Sequence, residues 1–204
     1  MQTKPKYKIC RRLGDRVFSK CQTTKFTISG TEKRSAGKKR RRPLSEYGAQ
    51  LLEKQKAKYT YGLRERQFAN YIKATRNLTS GSGAENLFKF LERRMDNVVY
   101  RLGFANSRAF ARQLISHGHI MLNNRRVTTP SYQVRIGDQI SIRPGSKDSG
   151  PFKNLAEKQK DLTVPAWITY DAVTQKAAIV VLPSMSEKEA GLNFNSILEF
   201  YSRV

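Results

Sequence analysis

The sequence predicts an α+β fold in which amphipathic helices are followed by a small antiparallel sheet. The first observation is an apolar stripe at helical spacing in 84–104, a segment that ends at Gly103; the stripe consists of Leu87, Leu91, Met95, Val98 and Leu102. The second is alternation of apolar and polar residues in 119–127 and 132–145, which is typical of short strands with one buried face. The segment 84–104 is therefore predicted to be one continuous helix.

Two further helices precede that segment. Residues 43–62 begin with Ser45 as an N-cap and end near Gly62, which fits one helix. Residues 63–77 predict a second helix, and its apolar side carries Phe68, Tyr71 and Ile72. A glycine-serine stretch, 79–85, then separates this pair from the longer helix.

The last predicted helix is short and carries two arginines on one face. It spans 106–118, with Ser107 as the cap and Gly118 as the end. Its inward positions are Phe110, Leu114 and Ile115. Arg108 and Arg112 lie one turn apart on another face, so we expect their replacement by Gln to leave the fold intact.

Two hairpins are predicted after this helix. Ile120 and Leu122 alternate before Asn123-Asn124, a pair that tolerates the positive φ of a tight turn, and 125–130 returns as a short strand. A Gly-Asp turn divides the second hairpin, whose apolar positions are Val134, Ile136, Ile140 and Ile142.

The net charge of the chain indicates the chemical class of its binding partner. The chain has 39 Lys and Arg against 16 Asp and Glu, which gives a net charge of +23. Self-repulsion opposes a compact state of this charge, and a polyanion removes the repulsion, so nucleic acid is the expected partner and a membrane surface the weaker alternative. Residues 1–42 hold 15 of the basic residues and two acids, whereas 161–204 has a net charge of −2. We expect 1–42 to be an extension that orders only against phosphates, and 161–204 to face protein or solvent.

Membrane insertion and secretion are disfavoured by the same sequence. The longest purely apolar run, 177–182, is too short to cross a bilayer. The N-terminal segment MQTKPKYKICRRLGDR lacks the apolar core of a secretory signal. The expected compartment is cytosolic.

Histidine and cysteine spacing argues against a metal site. His117 and His119 are expected to lie on either side of a turn at Gly118, and no Cys, Asp or Glu lies within ten residues of them. Cys10 and Cys21 have no close Cys or His neighbour and are expected to be reduced thiols. The sequence predicts no metal and no cofactor.

Long stretches of the chain resemble the family of bacterial ribosomal small-subunit protein four. The resemblance is carried by LERRMDNVVYRLGF (91–104) and SRAFARQLISHGHIMLNNRRVTTPSY (107–132), and it extends to 44–75 and 197–204. It implies a basic extension (1–42), a helical domain (43–90, completed by 178–204) and an inserted RNA-binding domain of helices on a small antiparallel sheet (91–177, core motif 93–155). Some relatives carry four zinc-binding cysteines in the first 42 residues, where this sequence has two.

The resemblance also implies a function without catalysis. Such a protein is a structural constituent of the small ribosomal subunit. It is a primary binder of the 5′ domain of 16S-type rRNA, nucleates subunit assembly and lines the mRNA entry region beside small-subunit proteins five and three. Its location would be the cytoplasmic ribosome, with an organellar ribosome as the alternative.

Charge and the resemblance together select the candidate RNA-binding residues. They are Lys38, Lys39, Arg40, Arg41, Arg42, Arg93, Arg94, Asn97, Arg101, Arg108, Arg112, His117, Asn123, Arg125 and Arg126. For Arg108 and Arg112 the alternative is a solvated helix face. For Arg93 and Arg94 it is an ion pair within the helix, to Glu92 or Asp96.

Two other functions share the RNA-binding module. An RNA-modifying enzyme such as a pseudouridine synthase would need a separate catalytic domain, and too few residues follow the module to form one. A general RNA chaperone would bind many nucleic acids without preference for one rRNA fold. The sequence therefore favours the ribosomal function over both alternatives.

Overall fold

The chain folds into two compact units that are described separately. The structure, a computed structural model, describes residues 5–23, 26, 44–78, 81–147, 150, 152, 164–171, 174–185 and 191–203. The helical unit comprises Met1–Ala84 and Glu187–Val204, and the sheet unit comprises Glu85–Ser186. Within the described ranges the chain has seven α-helices and one five-stranded antiparallel sheet, which confirms the predicted α+β class.

Three helices form most of the helical unit: α2 (Glu46–Thr60), α3 (Glu65–Arg76) and the C-terminal α7 (Phe194–Ser202). As predicted, Ser45 caps α2, where its hydroxyl oxygen accepts a hydrogen bond from the Gly48 amide at 3.2 Å. The cap satisfies one of the backbone donors that a helix start leaves without a partner.

Polar and aromatic contacts join α2 to α7. The Gln50 side chain donates to the Glu199 carboxylate at 3.1 Å, and the rings of Tyr47 and Phe200 lie 5.3 Å apart. Phe200 and its helix neighbour Ile197 are buried. The C-terminal segment therefore completes the helical unit.

The N-terminal segment also has structure. It contains α1 (Lys6–Leu13) and a 3₁₀ turn (Ser19–Cys21), and with Phe26 these elements form the N-terminal cluster. Residues 5–23 and 26 therefore correct the expectation of an unstructured extension, because Cys10, Cys21 and Phe26 bury each other in a small core. The basic run 38–42 lies outside the described residues.

In its described residues, the sheet unit contains three helices and all five strands. The helices are α4 (Gly83–Glu92, which begins in the helical unit), α5 (Met95–Arg101) and α6 (Arg108–Ser116). The strands are β1 (Ile120–Leu122), β2 (Arg125–Arg126), β3 (Gln139–Ile142), β4 (Ile168–Asp171) and β5 (Lys176–Ile179), in the order β2-β1-β3-β5-β4. A 3₁₀ turn, Pro144–Ser146, follows β3.

Register places the apolar strand positions on one face of the sheet. Ile120 pairs with Ile142 and Leu122 with Ile140, and all four are buried. These residues share a core with the apolar residues of α5 and α6, among them Val98. The helices therefore cover one face of the sheet, which buries the alternating apolar positions of β1 and β3. The predicted second hairpin is wrong, because 132–136 forms no strand and Ile136 is 58% exposed.

The predicted helix 84–104 is wrong in one respect, because it breaks at Arg93–Arg94 into α4 and α5. Arg94 has an extended backbone (φ −67°, ψ 135°), since a bridge to Gln133 draws it out of the helix. The Val134 amide donates to the Arg93 carbonyl at 2.9 Å. All five residues of the predicted stripe are nevertheless fully buried, so the stripe was correct and the continuity was not.

The unit boundaries also differ from the predicted domains. The boundary predicted at 177/178 falls inside β5, which pairs with β3 and β4 through residue 179, because a strand cannot be divided from its own sheet. The sheet unit begins at residue 85 instead of 91. Within the described part of the chain, no helix combines the length and hydropathy needed to cross a membrane.

Candidate nucleic-acid interface

The β1–β2 hairpin presents two adjacent arginines to solvent. Asn123 and Asn124 both have positive φ, 48° and 61°, which confirms the predicted tight turn. Arg125 and Arg126 follow directly and are exposed. The hairpin is therefore short, basic and open to a large ligand.

The side chain of Asn123, an exposed residue, holds this turn. Its amide nitrogen donates to the Asp138 carboxylate at 2.8 Å, and its oxygen accepts from the Gln139 amide at 2.8 Å. The other Asp138 oxygen accepts from the Arg135 amide at 2.7 Å. Asn123, predicted to contact RNA, thus positions the hairpin against the next turn.

Arg126 packs on the end of α6. Its guanidinium donates to the His117 carbonyl at 3.1 Å and lies directly against Gly118. Gly118 has φ 74°, and a Cβ there would overlap the guanidinium of Arg126. The absence of a side chain at 118 is therefore what lets the arginine fix the hairpin to the helix.

The two histidines lie on either side of this glycine. His117 is exposed, and its ring centroid lies 6.2 Å from that of His119. The His119 ring nitrogen Nδ1 lies 3.0 Å from the Ser146 hydroxyl. Among the described residues, no group of three His, Cys, Asp or Glu side chains could hold a metal ion.

In the same unit, three buried acceptors hold four arginines; we call this set the arginine network. The acceptors are Glu92, Asp96 and Asn97, each about 1% exposed, and the donors are Arg94, Arg101, Arg108 and Arg112. It joins the end of α4 to α5 and α6. Glu92, Asp96 and Asn97 therefore have a structural role.

Asp96 is shared by two arginines. Arg94, itself 2% exposed, donates from Nε and Nη2 to the two carboxylate oxygens at 3.0 and 2.8 Å. Arg112 donates to one of these oxygens at 2.6 Å, and 33% of its side chain remains exposed. The alternative of an ion pair between Arg94 and Asp96 is therefore the observed one.

Asn97 and Glu92 hold the other two arginines. The Asn97 amide nitrogen donates to Glu92 at 2.8 Å, and its oxygen accepts from Arg108 at 2.7 Å. Arg101 donates to both Glu92 oxygens at 3.1 Å. The Arg108 guanidinium also lies over the Tyr100 ring, 4.5 Å from its centroid.

These positions divide the predicted site residues into two groups. Arg94 and Asn97 are buried among their partners, so a direct contact of either with RNA is corrected to a positioning role. Arg101, Arg108 and Arg112 are tied to the network but keep part of their surface in solvent. Arg108 and Arg112 do not form a merely solvated helix face, because both bond to buried groups. The expectation that their replacement by Gln leaves the fold intact stays a prediction.

Arg93 is half-buried, and the alternative of an ion pair between Arg93 and Glu92 or Asp96 is not observed. Its Nε donates to the Val134 carbonyl at 2.8 Å. Burial and the nearby Arg135 lower the pKa of Arg93, while Asp138 raises it. Arg93 and Arg135 therefore concentrate positive charge near the segment that precedes β3.

Several basic residues were missed by the sequence reading. Arg135, Arg143, Lys147 and Lys176 are exposed in the sheet unit. The Arg143 amide donates to the His119 carbonyl at 2.8 Å, so Arg143 and Arg126 flank residues 117–119. The alternation of apolar and polar residues could have identified two of them, because Arg135 and Arg143 each directly follow a buried apolar residue.

Comparisons with known proteins show which families the chain is similar to. Residues 1–92 match the family described as Ribosomal protein S4/S9 N-terminal domain, and 93–140 match the S4 domain. The chain is 43% identical over 208 residues to the small ribosomal subunit protein uS4 of Desulforamulus reducens, covering 98% of each chain. It is 44% identical over 202 residues to the protein of the same name from Chloroflexus aurantiacus, covering 98% of this chain and 97% of the relative.

Proposed function

The chain belongs to the family of the small ribosomal subunit protein uS4, and from this premise we propose that its sheet unit binds the 5′ domain of the small-subunit rRNA directly. Membership gives the chain a structural, non-enzymatic role in the small ribosomal subunit and a ribosomal location. The finer assignment, a primary binder that nucleates subunit assembly, is our proposal. It accounts for a net charge of +23 on a chain of 204 residues.

One observation carries the proposal: an exposed pair of arginines stands on a hairpin that is fixed to a helix end. Arg125 and Arg126 are exposed, and Arg126 is held by the His117 carbonyl. Guanidinium groups form paired hydrogen bonds with phosphate, and each neutralised phosphate releases counterions into solution. RNA binding by a hairpin that is already fixed costs less conformational entropy than binding by a mobile hairpin.

The arginine network extends this surface. Arg101, Arg108 and Arg112 present partly exposed guanidiniums beside the hairpin-bearing helix, while buried acceptors set their orientation. The start of α6, capped by Ser107, adds partial positive charge that favours an anion. Folded RNA would then be recognised by the shape of its backbone and its 2′-hydroxyls, with little reading of base edges.

Other contacts belong to the same proposal and rest on the family resemblance. They are the basic run 38–42 against RNA, the mRNA entry region, and small-subunit proteins five and three. The net charge of −2 in 161–204 supports a surface that meets protein rather than RNA. Cross-linking of purified small subunits followed by mass spectrometry would test these neighbours, and would also identify whether the subunits come from the cytoplasm or an organelle.

Competition binding separates the proposal from a general RNA chaperone. Labelled rRNA 5′ domain is bound to the chain and displaced by unlabelled 5′ domain, tRNA or duplex DNA of equal nucleotide concentration. We expect the 5′ domain to compete at least about tenfold more strongly, a difference of about 1.4 kcal/mol or more. Equal competition by all three would support a chaperone and contradict a specific rRNA site.

A further inference from the structure

Two thiols face each other in the N-terminal cluster. Cys10 lies on α1 and Cys21 in the 3₁₀ turn, eleven positions later. The chain reverses after α1 at Gly14, which has φ 67°. The Cys10 thiol donates to the Cys21 sulfur at 2.6 Å, and both residues are fully buried. The fold therefore brings together two cysteines that the sequence reading left as separate thiols.

This pair makes up most of a very small core. Phe26 is the third buried member, and Val17 and Phe18 pack against it in part. Hydrophobic burial on this scale stabilises a fold weakly, since only a few side chains leave water. A covalent link between the two cysteines would thus change the stability of the cluster substantially.

Basic and aromatic side chains surround the pair. The Lys6 ammonium lies over the Phe18 ring, and the Arg11 guanidinium lies over the Phe26 ring, at 5.9 and 5.8 Å from the centroids. Lys6 lowers the pKa of the Cys21 thiol, but burial and the Cys10 contact outweigh it and raise that pKa to about 11. Exchange with an external disulfide is therefore expected to be slow at neutral pH and faster in alkali.

A zinc site does not account for the pair. Structural zinc takes four protein ligands, and the described residues offer no group of three suitable side chains. Within the described residues, the pair therefore has the composition of a dithiol that can be oxidised to a disulfide.

We propose that Cys10 and Cys21 form a reversible disulfide by exchange with an oxidised low-molecular-weight disulfide of the glutathione type. One cysteine thiolate attacks the small disulfide, forms a mixed disulfide and releases one small thiol. The other cysteine thiolate then displaces the second small thiol. The protein gives up two electrons and two thiol protons, the S–S bond of the oxidant breaks, and a new S–S bond forms in the chain.

The disulfide would lock the basic N-terminal segment. The disulfide links two residues eleven positions apart. It therefore lowers the conformational entropy of the unfolded segment more than that of the folded cluster. Arg11, Arg12 and Lys20 are exposed on the segment that it ties together. In a reducing compartment the pair stays a dithiol, and the cross-link would appear on oxidative stress.

A thermodynamic cycle tests the proposal on the full chain. The protein is equilibrated with mixtures of reduced and oxidised glutathione, with and without denaturant, then acid-quenched and weighed by intact mass spectrometry. The intramolecular disulfide makes the chain about two mass units lighter, whereas each mixed disulfide adds one glutathione. We expect the native chain to form the disulfide at a ratio of oxidised to reduced glutathione at least about tenfold lower than the denatured chain requires, because the fold holds the thiols together.

Single variants supply the matched control. Cys10→Ser and Cys21→Ser should each yield only a mixed disulfide with glutathione and no loss of mass. In the wild type, the oxidised form should resist trypsin at Arg11, Arg12 and Lys20 up to roughly a hundredfold longer than the reduced form. A wild-type chain that accumulates two glutathione adducts, or needs the same glutathione ratio in native and denatured states, would overturn the proposal. Neither result would affect the rRNA proposal, which rests on the sheet unit.

Discussion

Arg112 on α6 donates two hydrogen bonds to a single carboxylate oxygen of Asp96 on α5, at 2.6 Å from Nη2 and 3.1 Å from Nε. The second Asp96 oxygen is held by Arg94, which is itself buried. One buried carboxylate thus fixes both an internal arginine and one that reaches the surface. The basic surface of the sheet unit is consequently built on an internal frame of acceptors.

Asp96→Asn tests this frame. The substitution keeps the shape but removes the charge that compensates Arg94, which is 2% exposed. We expect a loss of roughly 3–5 kcal/mol in the free energy of unfolding, because the buried Arg94 loses the carboxylate that compensates its charge. Arg112→Gln should cost only about 1–2 kcal/mol, since Asp96 retains Arg94 and a third of the Arg112 side chain lies in solvent. Urea unfolding of both variants measures the difference, and a larger loss for Arg112→Gln would refute the assignment.

Gly118→Ala tests the contact between the hairpin and the helix. Both Gly118 and Gly137 have positive φ, 74° and 86°, but only at 118 would a Cβ meet a neighbour, the guanidinium of Arg126. Each Ala variant should lose about 1 kcal/mol of stability from backbone strain. Only Gly118→Ala should also weaken RNA binding, because it displaces Arg126. Equal RNA affinity of the two folded variants would show that the position of Arg126 does not matter for binding.

The helical unit should lose stability in acid through Glu65. Burial alone would raise the pKa of this carboxyl, but hydrogen bonds from Lys54, Lys58 and Tyr201 lower it from 4.5 to about 2. A carboxyl with a lowered folded-state pKa contributes stability that is fully present above 4.5 and is lost as pH falls towards about 2.

Denaturant unfolding between these pH values measures that contribution. Glu65→Gln should flatten the dependence of the unfolding free energy on pH, and Tyr201→Phe, which removes one of three donors, should flatten it partly. An unchanged pH dependence in Glu65→Gln would mean that the network around this carboxyl does not stabilise the charged form.

The apolar stripe is tested by Leu91→Ala. Leu91 is fully buried, so its truncation should cost roughly 2–5 kcal/mol through lost burial and a residual cavity. Leu78→Ala is the matched control, because Leu78 is 45% exposed and its loss should stay within about 0.5 kcal/mol. Thermal or urea melts of the pair measure both effects. Similar losses for the two variants would contradict the core position of Leu91.

Local patterns predicted most of the helices and the first hairpin. Ser45 and Ser107 cap the helices that they were expected to cap, and Asn123-Asn124 form the tight turn. These features depend on neighbours in the sequence, which is why spacing and residue type were sufficient to find them.

Features set by distant residues were not predictable in the same way. The break at Arg94 depends on Gln133, thirty-nine positions away, while α4 and α5 taken alone have a continuous helical pattern. Strands β4 and β5 were not predicted; they pair with each other, and β5 joins the sheet by pairing with β3, where Ala177 lies opposite Ile140. The contact of Cys10 with Cys21 depends on a chain reversal that spacing does not reveal.

The candidate RNA site shows the same limit. The sequence predicted a set of charged residues, but it could not assign their roles, because burial decides which arginine faces inwards. Arg94 and Arg125 are the same residue type, and one is 2% exposed while the other is exposed on β2. Their roles differ because Arg94 lies against Asp96, whereas Arg125 lies on a strand of the sheet.

The most direct test of the central claim is a salt titration of binding to the rRNA 5′ domain for the wild type and for Arg125→Gln/Arg126→Gln. The control is Arg125→Lys/Arg126→Lys, which keeps both charges, and circular dichroism verifies folding in every case. We predict that the Gln variant binds more weakly and that its slope of log K against log salt is shallower by roughly 0.7–0.9 for each of the two arginines, with the Lys variant keeping the wild-type slope. A folded Gln variant with the wild-type slope and affinity would contradict the account and mean that the rRNA binds elsewhere on the protein.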